Sequence, residues 1–460
     1  MTHLPHQPLS PLDGRYREAV SELGEYLSEA GLNRARVHVE VEWLIFLTDN
    51  TMFGSAPLTT EQKSSLRAVA TNFNDENIRE LAELEAVTRH DVKAVEYFLR
   101  NRLDALGITG VSELVHFAAT SEDINNTAYA LCITSAVREV WLPRLRTVTR
   151  ALRELALENR GVAMLARTHG QPATPTTVGK EFAVFVHRLT RIAQQIDDTE
   201  FLAKFSGATG TFAAHLAAAP DADWAALSRE FVESLGLTWN PLTTQIESHD
   251  WQAELYNRMS HANRVLHNLC TDVWTYISMG YFTQIPAAGA TGSSTMPHKV
   301  NPIRFENAES NLELSSAILD SLAATLVTSR LQRDLTDSSS QRNIGVGFGH
   351  SFLALDNILR GLGEIAVNEV QLARDLDENW EVLAEAIQTV IRAEITAGRS
   401  AITDPYALLK ELTRGKRVGH DELSAFLHTL DIGDEAKARL VALIPSGYTG
   451  IAGALVDFVD

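Results

Sequence analysis

The chain has 460 residues, of which 45% are hydrophobic and 22% charged; this gives room for about three domains and has the balance of a folded globular protein rather than a disordered one. A formal net charge of −19 repels phosphate backbones and anionic lipid surfaces, which argues against nucleic-acid or membrane-surface binding while leaving room for a local cationic pocket. Cys132 and Cys270 lie in helix-like apolar stretches with no CxxC or Cys/His cluster, so free buried thiols in a reducing compartment are expected and a zinc site is not.

From the N-terminus, Met1 to Val20 has no apolar core and carries Asp13 and Glu18, unlike a secretory signal. The longest apolar runs, Trp43–Leu47 and Phe182–Val186, are far shorter than a membrane span. A cytoplasmic protein is expected. Arg15 and Tyr16 follow a turn at Asp13-Gly14. The segment from Thr88 to Phe98 reads as a polar turn opening a helix, where His90 and Asp91 cap the helix or serve a site. Thr120-Ser-Glu-Asp123 precedes Ile124, Ala128 and Leu131, the signature of a hydroxyl N-cap with acids in the first turn. Pro143 is expected to end or kink that helix.

Further on, Arg167-Thr-His-Gly-Gln-Pro-Ala-Thr-Pro175 is an irregular lead-in to a helix. His169 is expected near the positive end of that helix, as a cap or as a catalytic group. The helix carries an apolar stripe at Val178, Phe182, Phe185, Leu189, Ile192 and Ile196, and a second stripe runs Leu255, Met259, Ala262, Leu266, Leu269, Val273, Tyr276. Shorter ones are Leu145, Val148, Leu152, Leu155 and Phe352, Leu355, Leu359, Leu362. Such spacing, sustained over several turns, predicts helices packed at shallow angles, as in a bundle. Strand-like alternation is hard to find. Between the long helices lies the segment 285–307, which holds Gly289, Gly292 and three prolines together with Lys299, Asn301 and Arg304; it reads as an anion-enclosing lid, with a mobile linker as the plainer alternative. The donor-rich run 332–343 is a second site candidate, or a solvated loop with Arg333 paired to Asp334. Gly361 and Gly363 punctuate the end of the bundle. The expected fold is all-α, with a helical region 1–110, a long-helix bundle 111–363 and a C-terminal helical region 364–460.

Taken together, these segments are specific. Gly292-Ser-Ser-Thr-Met-Pro-His-Lys-Val-Asn-Pro302 resembles the signature loop of the fumarase/aspartase superfamily. The segments Thr120–Asn126 and Arg167–Pro175, the turn His90-Asp91-Val92 and the run Gln332–Ser338 resemble the branch that acts on succinylated purine nucleotides. The likeness extends from Arg15 to Glu411-Leu-Thr-Arg-Gly-Lys-Arg417. It implies a three-domain all-α subunit and a homotetramer with a shared helical bundle and active sites built from several subunits. It also implies cleavage of adenylosuccinate to AMP and fumarate, and of the succinylaminoimidazole carboxamide ribotide of purine synthesis to its amide and fumarate, without cofactor or metal. By the same resemblance Ser293 is the general base and His169 the general acid. The substrate contacts it implies are Arg15, Tyr16, His90, Asp91, Thr120, Ser121, Gln245, Ser294, Lys299, Asn301, Asn307, Arg333, Ser338 and Arg342.

The chemistry suits such a set. An elimination needs an acid and a base, on opposite faces if it is anti, and hence from distant segments. A substrate with one phosphate and two carboxylates explains arginines gathered in an acidic chain. Two alternatives remain: another fumarate-releasing lyase, of the argininosuccinate lyase, aspartase or fumarase type, and a non-catalytic helical scaffold, against which intact Ser293, His169 and Lys299 speak.

Overall fold

A computed structural model describes residues 8–285, 296, 299–413 and 418–459, with the side chains of 411–413 set aside. The chain is built from helices: α1 (Ser21–Leu27), α2 (Glu29–Asp49), α3 (Thr60–Thr71), α4 (Asp75–Thr88), α5 (Asp91–Ala105), α6 (Ser121–Ser135), α7 (Leu142–Glu158), α8 (Val178–Asp197), α9 (Ala213–Ala218), α10 (Trp224–Ser234), α11 (Asp250–Ser278), α12 (Ile303–Leu326), α13 (Thr336–Gln341) and α14 (Ile344–Gly363). A C-terminal set follows: α15 (Glu369–Asp377), α16 (Ala384–Thr396), α17 (Pro405–Thr413), α18 (His420–Thr429), α19 (Asp434–Val441) and α20 (Ala452–Leu455). The all-α expectation holds. Among the described residues no single helix is long and apolar enough to cross a membrane.

The residues divide into two compact units, each assembled from three stretches of sequence. The first comprises 1–145, 192–264 and 310–356, the second 146–191, 265–309 and 357–460. In the first, α2 packs against α3, α5 and α6, and the Trp43 ring of α2 lies tilted 4.4 Å from Phe205 and edge-on 4.9 Å from Phe231, centroid to centroid. Its indole N–H is satisfied by the Phe117 carbonyl at 3.1 Å, as a buried tryptophan requires. In the second unit, Leu383, Ile387, Ile391, Leu423, Leu427 and Leu440 form a core that joins α16, α18 and α19.

The predicted stripes are the buried faces. Val178, Phe182, Phe185, Leu189, Ile192 and Ile196 of α8 are all buried, as are Leu255, Met259, Ala262, Leu266, Leu269 and Val273 of α11, with Tyr276 half-buried. Cys132 and Cys270 are free and buried, and burial pushes the Cys132 thiol up to about 12, so it stays protonated and unreactive.

Three local features depart from expectation. Short strands exist: β1 (Ala163–Met164), β2 (Arg167–Thr168), β3 (Gln171–Pro172), β4 (Thr176–Thr177), β5 (Leu202–Ala203), β6 (Thr238–Trp239), β7 (Phe282–Gln284) and β8 (Ile365–Val367). They pair as β1–β4, β2–β3 and β7–β8, all antiparallel, and β5–β6, parallel. Elements of two or three residues are too short to show an alternating pattern. Pro143, second, does not stop the helix. The chain passes from α6 through a π-helical segment, Ala136–Trp141, directly into α7, so the proline follows a wider turn in which the regular i→i−4 ladder is already interrupted. Third, His169 does not sit at the start of α8, as described below.

Gly179, in the first turn of α8, fits against the end of α7. A β-carbon there would lie 2.4 Å from the Ala156 carbonyl oxygen and 2.6 Å from Arg160 Cα, both backbone atoms that cannot swing away. Gly179→Ala is expected to cost about 1–3 kcal/mol by overpacking; thermal unfolding checks it, and an unchanged Tm would mean that the helices part without penalty.

Candidate active site

The candidate side chains fall into two sets, one in each unit. In the first unit the chain reverses between α4 and α5 through Arg89, whose φ of +55° closes the end of α4. The reversal leaves His90 as the N-cap of α5, with Nδ1 accepting the Lys93 N–H at 3.3 Å. His90 Nε2 then stands 3.4 Å from the hydroxyl of Ser121, first residue of α6. Thr120 is the N-cap of α6, and its own N–H donates to Asp123 Oδ2 at 2.8 Å. Free N–H groups at such a helix start attract anions.

Arginines from the segment after α12 pair with Asp91, Glu29 and Glu122, acids at the starts of α5, α2 and α6. Arg342 donates to Asp91 Oδ2 at 3.4 Å and to Glu29 Oε2 at 2.6 Å. Arg333 donates to Glu122 Oε1 at 2.9 Å and to Gln245 Oε1 at 3.3 Å, and Gln245 in turn donates to the Ala208 carbonyl at 3.0 Å. The pairing of Arg333 with Asp334 that the sequence allowed is absent among the described residues: Asp334 takes Arg330 instead, at 3.3 Å, four residues back along the loop. Burial pushes the Asp91 carboxyl up, but Arg36, the Val92 N–H, Arg342 and His90 together hold it below the usual carboxylate range. Arg15 stands exposed, its guanidinium 5.9 Å from the Tyr16 ring centroid. Ser338 is half-buried in α13, its N–H on Asp337 Oδ1 at 2.7 Å. Among the described residues neither Arg15 nor Ser338 is hydrogen-bonded to the His90–Ser121 pair.

In the second unit His169 is the first of the two residues that turn β2 into β3. Both turn residues are left-handed, His169 at φ +53° and Gly170 at +74°, the conformation of a type I′ hairpin turn. The β4 strand, ending at Thr177, separates this hairpin from α8; the imidazole is therefore exposed at a hairpin tip rather than resting on a helix dipole. The hairpin is anchored at its base, where Arg167 donates to Asp375 Oδ2 at 2.6 Å and the Tyr281 hydroxyl joins the same carboxylate. Lys299 is exposed, with its N–H on the Met296 carbonyl at 3.0 Å. Asn301 accepts the Ile303 N–H through its backbone carbonyl at 2.8 Å, and Asn307 Oδ1 accepts the Asn357 amide at 3.0 Å. Ser293 and Ser294 lie outside the described residues.

Sequence reasoning passed over Arg36, Glu122 and Asn125, each at most 8% exposed, which hold the charged groups of the first unit. A signal for two of them was present, since Glu122 and Asn125 share the 3-residue spacing of a buried helix face. Burial pushes the Glu122 carboxyl up, with Arg333 and Asn125 partly offsetting it. His249 was also missed: its Nε2 lies 3.0 Å from the Gln341 amide, and burial holds its pKa below the usual histidine value.

Comparison with known proteins now places the chain. The lyase family profile matches residues 14–313, so the chain belongs to the lyases of the fumarase/aspartase superfamily. The profile "adenylosuccinate lyase C-terminal" matches residues 329–449. Adenylosuccinate lyase of Escherichia coli (strain K12) is 47% identical over 98% of both chains. Those of Vibrio cholerae and Dictyostelium discoideum are 48% identical over 98% of both chains and 43% identical over 96% of both. Within the superfamily, the chain's place is among the adenylosuccinate lyases. In fold it is similar to a solved fumarate lyase from Mesorhizobium sp. BNC1, with a TM-score of 0.75 at 21% identity, covering 95% of this chain and 97% of that one.

Proposed function

We propose that this chain releases fumarate by β-elimination from adenylosuccinate, giving AMP, and from the succinylaminoimidazole carboxamide ribotide of purine synthesis. The observation that carries the reading is 47% identity to an adenylosuccinate lyase over 98% of both chains, which leaves little room for a different substrate class. Supporting it, the first unit gathers Arg333, Arg342, Gln245, Ser121 and His90, cations and neutral donors suited to a phosphate and carboxylates.

Ser293 is assigned as the base and His169 as the acid. Ser293 takes the proton from the carbon next to a carboxylate. The electron pair left there becomes the new double bond of fumarate as the carbon–nitrogen bond breaks, and the pair from that bond leaves on nitrogen, which takes a proton from His169. Charge that builds on the carboxylate in the transition state is met by Lys299 and Asn301, so they stabilise the transition state more than the substrate. Serine acts as a base only where its alkoxide is stabilised, a role given to the glycine-flanked amides of its loop and to Lys299. The further contacts assigned to substrate are Arg15, Tyr16, Asp91, Thr120, Ser294, Asn307 and Ser338.

The three regions 1–110, 111–363 and 364–460 are proposed as domains, and a cytoplasmic homotetramer with active sites shared between subunits as the working form. The purified protein mixed with adenylosuccinate is expected to change the absorbance of the purine as AMP and fumarate form. No change with adenylosuccinate but turnover of argininosuccinate would move the chain to that rival; silence with every fumarate-yielding substrate would leave only the scaffold.

A further inference from the structure

Between Arg333 and Arg342 runs an unbroken line of hydrogen bonds through the interior of the first unit. Arg333 donates to Glu122 Oε1 at 2.9 Å, and the Asn125 amide donates to that same oxygen at 2.9 Å. Asn125 Oδ1 accepts Arg36 Nε at 2.9 Å, Arg36 passes on to Asp91 Oδ2 at 2.7 Å, and Arg342 donates to Asp91 Oδ2 at 3.4 Å. Charges alternate along it: guanidinium, carboxylate, neutral amide, guanidinium, carboxylate, guanidinium. Three of its four inner members are nearly sealed, Arg36 at 2% exposure, Glu122 at 3% and Asn125 at 8%, while Asp91 is half-buried.

Stability alone gives no reason for this arrangement. Burying a guanidinium and a carboxylate carries a desolvation cost that well-packed apolar side chains avoid, so a network of this kind is expected where geometry matters more than stability. Here both ends of the line are arginines assigned to the substrate. Asn125 gives the line a direction, accepting on one side and donating on the other, and fastens α6 to α2 at the level of the two carboxylates.

We propose that Arg36, Asn125 and Glu122 form a buried positioning relay that fixes the separation of the Arg333 and Arg342 guanidinium groups, and so selects a ligand with two anionic groups at a matching distance. The proposal rests on the functional reading above. None of the three is a catalytic residue; each acts through an arginine.

The test uses the full chain and adenylosuccinate. Asn125→Ala cuts the line without removing a charge, and is expected to raise KM about tenfold, the effect of roughly one lost hydrogen bond in orientation, with kcat within about threefold. Arg36→Lys, which keeps the charge but loses the Nε donor, is expected to act in the same direction, and stands in should Asn125→Ala fail to fold. Combined with Arg342→Lys, Asn125→Ala should add little to the KM of Arg342→Lys alone, because both act on one group. A KM unchanged in Asn125→Ala and Arg36→Lys, or effects that simply multiply in the double variant, would overturn the relay even if Tm falls. If the wild-type chain releases no fumarate from adenylosuccinate, the functional reading fails and the relay with it; if it does and the variants bind normally, only the relay fails.

Discussion

His169→Ala is expected to retain substrate binding and to lose turnover by about 10²–10⁴, the usual contribution of a positioned acid or base. The imidazole is exposed at the tip of a hairpin whose base is fixed by Arg167 and Asp375, so its removal takes away a proton donor and disturbs little packing. KM close to the wild-type value together with an unaltered Tm would mark the loss as chemical. Ser293→Ala should lose turnover to a comparable extent. Either variant retaining near-normal turnover would remove that residue from its assigned role.

Asp123→Ala is expected to show the largest loss of stability. The carboxylate is fully buried and every lone pair is used: Oδ1 accepts Ser206 N and Lys204 Nζ, each at 2.8 Å, while Oδ2 accepts Thr120 N at 2.8 Å and Gly207 N at 3.0 Å. Alanine would leave three backbone donors and a buried ammonium uncompensated, at a cost of about 3–5 kcal/mol for the ion pair alone. A drop in Tm of roughly 5 °C should follow for a chain of this size. Pairing Asp123→Leu with Lys204→Met removes both charges but still strands the three N–H groups, so it should recover only part of the loss. If Asp123→Ala unfolds within about 1 °C of wild type, on a scale where ~1 kcal/mol shifts Tm by about 1–2 °C, water or rearranged donors must have replaced the carboxylate.

The long helices were legible because a stripe of one residue per turn reports burial directly, and the α8 and α11 stripes are the buried faces. The helix starts at His90 and Thr120 were legible for a similar local reason, since capping is settled within about four residues. Position within the site was not. His169 was expected on a helix dipole because strands of two residues leave no period to detect, and the hairpin that carries it is made of such strands. Arg36, too, is met in a helix of mixed polar and apolar residues with nothing to mark its partners: Asp91 lies 55 positions away and Asn125 lies 89. Pairings of that range are set by how elements pack, and pattern within a window cannot show them.

The division of each unit into three separated stretches bears on how the polypeptide is made. Synthesis runs from the N-terminus, and the first unit does not have its full set of helices until residue 356 has been polymerised. Contacts between stretches so far apart close slowly, because chain entropy must be surrendered before they form. A nascent chain halted before that point would leave Trp141 without Ser351 and Tyr256 without the Phe348 ring against it, and such a chain is a natural client for chaperones.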